Sequence, residues 1–437
     1  MTVPVPSRTT RARAARKHRR RGLLVVNLTL LILILSGGTL LYAREQAADE
    51  GRTASALRAA AARTEAVAAE AAGESAPGTA PSFEEADSAP SHPELTAGSA
   101  VGAAVPAAGG LAAAVAEPTA GGSKSVSLNF AGDVIFSGKV QSLLEKKGYD
   151  YPYVYVRDRF KNDDLTVINL ETPVTALNTK SADKSFVFKS PPKALGPLKN
   201  AGVDVVNLAN NHTLDQGIRG LLDTIANLDK KGIAHVGAGR DASAAYAPVI
   251  VERKGIRIAI VGVSRVLPES DWAAGTGHAG AASAYDPEAA ARAVKAAKRK
   301  ADVVVAVVHW GKERVDKPDP NQTVLAHRMI DAGADLIIGG HAHVLQGFEQ
   351  YKGKWIAYGT GNFIFTRSGN AKTWETGVFQ AECKKNGDCS LKLVPYWAEL
   401  GQPVPMKKAD AQKLLRRIDE LSPGVRIGED GQVRAQK

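Results

Sequence analysis

The sequence predicts a layered α/β sandwich with a mixed sheet, formed by the chain from Ser125 onward. Three observations lead there. Short apolar runs alternate with longer amphipathic ones after Ser125. Toward the end, strand-like runs follow one another without helices between them, as in a mixed sheet. The stretch before Ser125 lacks the composition to build a core.

That stretch is read first. From Arg44 to Lys124, 28 of 81 residues are alanine and Phe83 is the only aromatic. Such a segment cannot bury enough apolar surface to offset its ordering entropy. Residues 44–124 therefore read as a flexible linker, with Ala54–Ala72 a marginal solvated helix. Gly22–Ala43 carries no charge over 22 residues, enough at ~1.5 Å per residue to cross a ~30 Å hydrocarbon core. A cleaved signal peptide has a shorter apolar region, ~7–15 residues, and Leu41-Tyr42-Ala43 is a poor cleavage site. An uncleaved transmembrane helix is the expectation, with cleavage as the alternative. Arg8, Arg11, Arg13, Arg16, Lys17, Arg19, Arg20 and Arg21 precede it, so residues 1–21 should be a cytoplasmic tail and the rest extracytoplasmic. These eight cations also account for most of the formal charge of +11, leaving +3 for the remainder. The basic excess is local, which argues against a nucleic-acid partner.

Residues 125–400 are expected to form the folded domain, and 401–437 a C-terminal tail with one helix. Expected strands are Val126–Phe130, Leu165–Leu170, Val203–Leu208, Val249–Val251, Ile256–Val263, Val303–Val308 and Leu336–Ile338. Expected helices are Lys139–Lys147, Lys193–Ala201, Gly217–Lys231, Pro287–Lys300 and Gln322–Ala332. Trp355–Tyr358, Gly377–Cys383 and Leu391–Tyr396 supply the late strands. Cys383 and Cys389, the only cysteines, flank an Asn386-Gly387 hairpin signal. An exported domain favours a disulfide there; two reduced thiols in a surface hairpin are the alternative.

The histidines carry the functional signal. Four of nine, His212, His309, His341 and His343, directly follow expected strands, and open α/β sheets bind ligands at the carboxyl ends of their strands. Asp133 in "LNFAGDVIFSG", Asn169 and Glu171 in "LTVINLETPVT", and Asn210, Asn211 and Asp215 in "VDVVNLANNHTLDQG" occupy equivalent places. Each has a plainer reading. Asp133 and Asp215 could cap helices, Asn210-Asn211 could form a turn, and His309 could be a buried imidazole bonded to backbone. His341 and His343 point the same way if their backbone is extended. Taken together, two carboxylates, an amide and three imidazoles converge on one sheet edge. Buried carboxylates without partners are costly, and a divalent cation is a natural partner. Oxygen and nitrogen donors without thiolate suit Zn²⁺, Mn²⁺ or Fe and not a soft copper site.

In order and wording these motifs resemble the CapA capsule-synthesis family, within the calcineurin-like metallophosphatase fold group. "NLETPVT", "VDVVNLANNHTLDQG", "VVHWG" and "GTGNFIF" are the most specific segments, and the resemblance covers nearly all of Ser125–Trp397. It implies an α/β/β/α metallophosphatase-like sandwich. It also implies metal ligation by Asp133, Glu171, Asn211, His309, His341 and His343, with His212 as the catalytic acid or substrate-orienting group. The chain departs from the metallophosphatase pattern in reading Asp133-Val134-Ile135 where Asp-x-His is usual. Glu171 replaces a bridging aspartate, and the fifth motif reads "GGHAH". The number of divalent ions, one or two, stays open. The implied role is a membrane-anchored accessory of poly-γ-glutamate capsule synthesis or export, whose partners are the cytoplasmic membrane, other synthase subunits and the polymer. A metal-dependent phosphoesterase or other hydrolase of an exported envelope substrate is the alternative.

Overall fold

The computed structural model describes residues 124–179 and 182–436. The expected basic tail, transmembrane helix and nearly all of the linker lie outside the described residues. Among the described residues no helix is long and apolar enough to cross a membrane.

The first strands, β1 (Ser125–Val134), β2 (Leu165–Leu170), β3 (Val205–Asn207) and β4 (Ala234–Val236), pair in parallel. Helices in the connections return the chain, as parallel pairing requires. Next come the two-residue β5 (Ala238–Gly239), the antiparallel hairpin β6 (Val249–Arg253) and β7 (Ile256–Ser264), and β8 (Gly280–Ala281), which pairs with β5. Strands β9 (Val303–His309) and β10 (Leu336–Gly340) add in parallel to β7. The β-rich end supplies β11 (Phe348–Tyr351), β12 (Lys354–Ala357), β13 (Asn362–Ile364), β14 (Glu375–Lys384), β15 (Cys389–Glu399), β16 (Gln402–Pro405), β17 (Val425–Ile427) and β18 (Gln432–Ala435). One mixed sheet has the order β17-β18-β15-β14-β1-β2-β3-β4, with β13 on β1 and β16 on β15. The other has the order β11-β12-β10-β9-β7-β6.

Period-2 patterning explains how the sheets stack. Val126, Leu128 and Phe130 of β1 share one buried cluster with Ile258 and Ile260 of β7, Val305 of β9 and Ile338 of β10. The alternate residues Ala259, Val261, Val304 and Ala306 face the other way. They pack on Val294 of helix Pro287–Lys298 and on Leu325 and Met329 of helix Pro320–Asp331. On the far side, Ala131, Ile168 and Val206 meet Val140 and Leu144 of helix Gly138–Lys147 and Leu221 and Leu228 of helix Gly217–Lys230. The result is helix, sheet, sheet, helix, the mixed α/β sandwich that the alternation predicts.

Cys383 and Cys389 are register partners across the β14–β15 hairpin and form a disulfide. The segment after residue 400, expected as a tail with one helix, holds that helix at Lys408–Glu420 together with β16, β17 and β18. β18 pairs with β15, and Leu414, Leu415, Ile418 and Val433 join the inter-sheet core. The segment is part of the sandwich.

A candidate metal centre at the carboxyl ends of the strands

Parallel strands from both sheets end at the same side of the sandwich. Asp133 lies near the end of β1, Glu171 just past β2, Asn211 after β3, His309 at the end of β9, and His341 and His343 past β10. Close packing of backbone makes the convergence feasible. A Cβ on Gly132 would lie 1.9 Å from the Gly361 carbonyl oxygen, and the amide of Asp133 donates to that same carbonyl. A Cβ on Gly339 would lie 2.1 Å from the Tyr358 carbonyl oxygen, which accepts the Trp310 indole N–H.

The geometry forms two groups of three side chains that share Glu171. Glu171, His309 and His341 form one; Asp133, Glu171 and His343 form the other; in each, the donor atoms lie within 4.8 Å of one another. Asn211 joins the first group, its Oδ1 lying 2.9 Å from His309 Nε2. That nitrogen is also 3.4 Å from Glu171 Oε1. All six residues expected as ligands from the sequence are thus together.

Three readings of this region from the sequence need correction. His341 and His343 are not on extended backbone: their φ values are 87° and 54°. Left-handed backbone is unfavourable for residues with a Cβ, and here it turns successive imidazoles into different ligand groups. Asp215 does not cap the helix that follows. Gln216 occupies the N-cap position of Gly217–Lys230 and no side-chain cap bond forms. Asp215 Oδ2 instead lies 2.7 Å from His212 Nδ1 and accepts from the amide of Phe188, while Oδ1 meets Lys184 Nζ at 2.7 Å. Likewise Ser137, not Asp133, precedes the helix Gly138–Lys147.

An asparagine scaffold positions the ligands; the sequence places Asn169 and Asn210 at strand ends but does not give them this role, and Asn207 is not marked at all. Asn169 Oδ1 accepts from Asn207 Nδ2 and Asn210 Nδ2 at 3.0 and 3.3 Å. This fixes the amide so that its Nδ2 donates to Asp133 Oδ1 at 2.8 Å and lies 3.2 Å from His309 Nδ1. Asparagines with turn-forming neighbours in sequence give no sign that their side chains will meet across β2 and β3.

The donor set fits a divalent cation. Both oxygens of Glu171, Oδ2 of Asp133 and Nδ1 of His341 are buried without a hydrogen-bond partner, an arrangement that leaves costly desolvated groups unless a cation sits among them. Without an ion the electrostatics are frustrated. Burial, reinforced by the Asp133 charge, pushes Glu171 up to about 8. Burial pulls His309 down to about 3 and His341 well below the usual imidazole range, the latter aided by His309 and His343. Burial acts to lower His343 as well, but Glu171 and Asp133 outweigh it and raise that imidazole to about 9. Asp133 is held low, because His343 and His309 overcome the effect of its burial.

Beyond the ligands, His212 and His343 border a cleft of about 370 Å³ that also includes Lys139, Phe186, Arg314 and Phe365. The His212 ring stacks on Phe188 at 4.2 Å between centroids, so Asp215 and Phe188 together fix which edge of the imidazole faces the cleft.

Comparison with known proteins follows the same lines. The model of the family described as bacterial capsule synthesis protein PGA_cap matches residues 127–367. The PGA biosynthesis protein CapA of Bacillus subtilis is 36% identical over 299 residues, covering 68% of this chain and 78% of that protein. The capsule biosynthesis protein CapA of Bacillus anthracis is 32% identical over 303 residues, covering 68% and 73% respectively. Among solved structures, the calcineurin-like phosphoesterase YfkN of Bacillus subtilis aligns with a TM-score of 0.38 at 17% identity, covering 63% of this chain and 92% of that one. Matched over residues 127–367 by that family model, and with relatives above 30% identity along most of their length, the chain belongs to the bacterial capsule synthesis protein family PGA_cap.

Proposed function

We propose that this protein is a membrane-anchored, extracytoplasmic accessory of poly-γ-glutamate capsule synthesis or export whose folded domain carries a divalent metal centre that hydrolyses an anionic substrate. The role in polymer synthesis is supported by the names of relatives that are 36% and 32% identical over 68% of this chain. The observation that carries the metal reading is the pair of three-ligand groups meeting at Glu171, with its oxygens otherwise unpartnered. Zn²⁺, Mn²⁺ or Fe suits such oxygen and nitrogen donors. Glu171, Asn211, His309 and His341 would hold one ion; Asp133, Glu171 and His343 would hold a second.

Bound there, a divalent ion would supply Lewis-acid chemistry for hydrolysis. The remaining tasks fall to the protein. His212 stands outside both ligand groups and borders the cleft. With Nδ1 bonded to Asp215, its Nε2 is the nitrogen left to protonate a leaving group. Lys139 and Arg314 place positive charge along the cleft, which suits a phosphoester or a carboxylate-bearing chain. The alternative, a phosphoesterase acting on another exported envelope substrate, shares this machinery and differs in the partner proteins it needs.

Anchoring rests on the uncharged run 22–43 and the eight cations before it. Protease added to wall-stripped cells should digest the domain and leave a short protected N-terminal fragment; complete protection would refute the topology. Catalysis is tested by polymer output in a deletion strain complemented with His212→Ala or His341→Ala. Loss of output from a folded, metal-replete His212→Ala protein supports hydrolysis, and normal output from it refutes that reading.

A further inference from the structure

The motif "GTGNFIF" contains a buried amide that the metal reading leaves unused. Asn362 lies on β13, is 3% exposed, and is the register partner of Asp133 on β1. Its Nδ2 donates to the Thr373 carbonyl at 3.2 Å. A carbonyl only accepts, so the amide is fixed with Oδ1 on the opposite side, where it lies 2.9 Å from His343 Nδ1.

We infer that Asn362 is the residue that positions His343 for metal, holding Nδ1–H so that Nε2 faces the ion and Asp133 Oδ2 stays free to ligate. The inference rests on the metal-centre reading above. An amide oxygen can only accept, so the ring nitrogen facing it keeps its hydrogen, and Nε2 is the nitrogen that gives up a proton and offers its lone pair when an ion binds. Nε2 is the nitrogen directed at the shared carboxylate, 4.0 Å from Glu171 Oε1. Asp133 Oδ2 also lies near Nδ1, at 3.2 Å. By hydrogen-bond geometry that oxygen has no partner, so, against its burial, His343 holds Asp133 low through proximity and charge, while its N–H is aimed at Asn362. Asparagine thus wins a competition that would otherwise tie a metal ligand to a neighbouring ligand.

This matters at the Asp133 position in particular. Ile135, where an Asp-x-His motif would place another imidazole, is a core residue 1% exposed. The Asp133–Glu171–His343 group has three side chains and no spare, so misorientation of one removes the site. A partner that fixes the ring of a ligating histidine typically contributes ~10–100-fold in metal affinity.

The test uses the full-length chain, stripped with chelator and titrated with Zn²⁺ in competition with a chromophoric chelator, with elemental analysis of the product. Wild type should take up two ions. Asn362→Leu should bind the weaker ion ~10–100-fold less tightly and the other unchanged, whereas Asn362→Asp, which keeps an acceptor, should hold both. Equal affinity of Asn362→Leu and wild type for every ion bound would overturn the inference. Wild type that binds no Zn²⁺ would overturn the metal centre itself, and the inference with it. Should the leucine variant fail to fold, nitrogen NMR of the Zn²⁺-loaded wild type decides the matter. Nε2 of His343 on the metal with Nδ1 protonated supports the inference; Nδ1 on the metal refutes it.

Discussion

Glu171 is fully buried, neither of its oxygens is hydrogen-bonded, and burial together with the charge of Asp133 pushes it up to about 8. In metal-free protein the folded state therefore keeps a proton that the unfolded chain loses near 4.5. The native state binds more protons throughout that interval, so stability falls as pH rises from about 4.5 to about 8. At pH 7 the handicap is about 3 kcal/mol, from ~1.4 kcal/mol for each pH unit above 4.5. Glutamine removes the ionisation but introduces amide hydrogens with no acceptor in place, at a cost of ~1–2 kcal/mol. Glu171→Gln should accordingly be ~1–2 kcal/mol more stable than wild type at pH 7 in chelator, and less stable by a similar amount at pH 4.5. Metal reverses the order. An ion at a thousandfold excess over its dissociation constant stabilises wild type by ~4 kcal/mol, and the variant, deprived of the ligand common to both groups, should gain little. Urea denaturation across this pH range, with EDTA and with Mn²⁺ or Zn²⁺, measures all three quantities. Parallel pH profiles for the two proteins in EDTA, or equal gains from metal, would refute the reasoning.

Three other substitutions probe separate parts of the molecule. His212→Ala should retain metal content and melting temperature while hydrolysis or polymer output falls by ~10²–10⁴-fold; metal loss in that variant would make His212 a ligand instead. Asp163 is raised to about 7 by burial, against the bonds from Thr166 and Asn129 and with help from the charges of Asp204 and Asp164. The folded state therefore keeps a proton between 3.8 and about 7 and loses stability across that window, so Asp163→Asn should stabilise by ~1–2 kcal/mol at pH 8 after allowance for solvent screening, and by little at pH 4. A gain that does not change with pH would contradict this. Replacing both Cys383 and Cys389 by serine opens a loop with a sequence separation of 6 and should cost ~2 kcal/mol. Reductant should lower the wild-type urea midpoint equally and leave the variant unmoved.

The parts of this fold that were legible in sequence are those encoded locally. Run length and alternation locate β2, β7 and β9 because a strand buried on both faces is mainly apolar, as Val303–Val308 is and as Leu165–Leu170 is apart from Thr166 and Asn169. The ligand set is legible for the same reason: a polar residue directly after an apolar run lies at a strand end, and parallel pairing brings such ends together. The amide scaffold depends on contacts between strands distant in sequence, and nothing near Asn169 or Asn362 announces them. The three-residue β13 is too short for periodicity to register. The C-terminal strands alternate Val425, Arg426 and Ile427, then Val433 and Arg434, which reads as a charged tail until β15 supplies a sheet for them to join. Asp215 misled because an aspartate two residues before a helix looks like a cap, whatever its side chain is doing.

The placement of unfavourable features bears on whether the centre is a working site or a remnant of the fold. Among the described residues, the buried carboxylate oxygens without a hydrogen-bond donor belong to Asp133, Glu171 and Asp215, the last of which faces Lys184. Two of the ligand residues, His341 and His343, adopt positive φ, at ~1–3 kcal/mol each for sparsely populated backbone. A domain needed only as a scaffold would gain stability by relaxing these features singly, since neutral or apolar replacements for unpartnered buried charge are commonly stabilising. Instead the unpartnered donors of Asp133, Glu171 and His341 and the positive φ of His341 and His343 meet around one carboxylate, and a cation among them accounts for all of these. The two groups are not equally furnished with donors. Ile135 gives the Asp133 group an apolar residue in place of a ligand, while the Glu171, Asn211, His309 and His341 group keeps every donor. Metal should therefore be bound most tightly by Glu171, Asn211, His309 and His341, and removing His341 should cost the tightly held ion, whereas removing His343 should cost the weaker one.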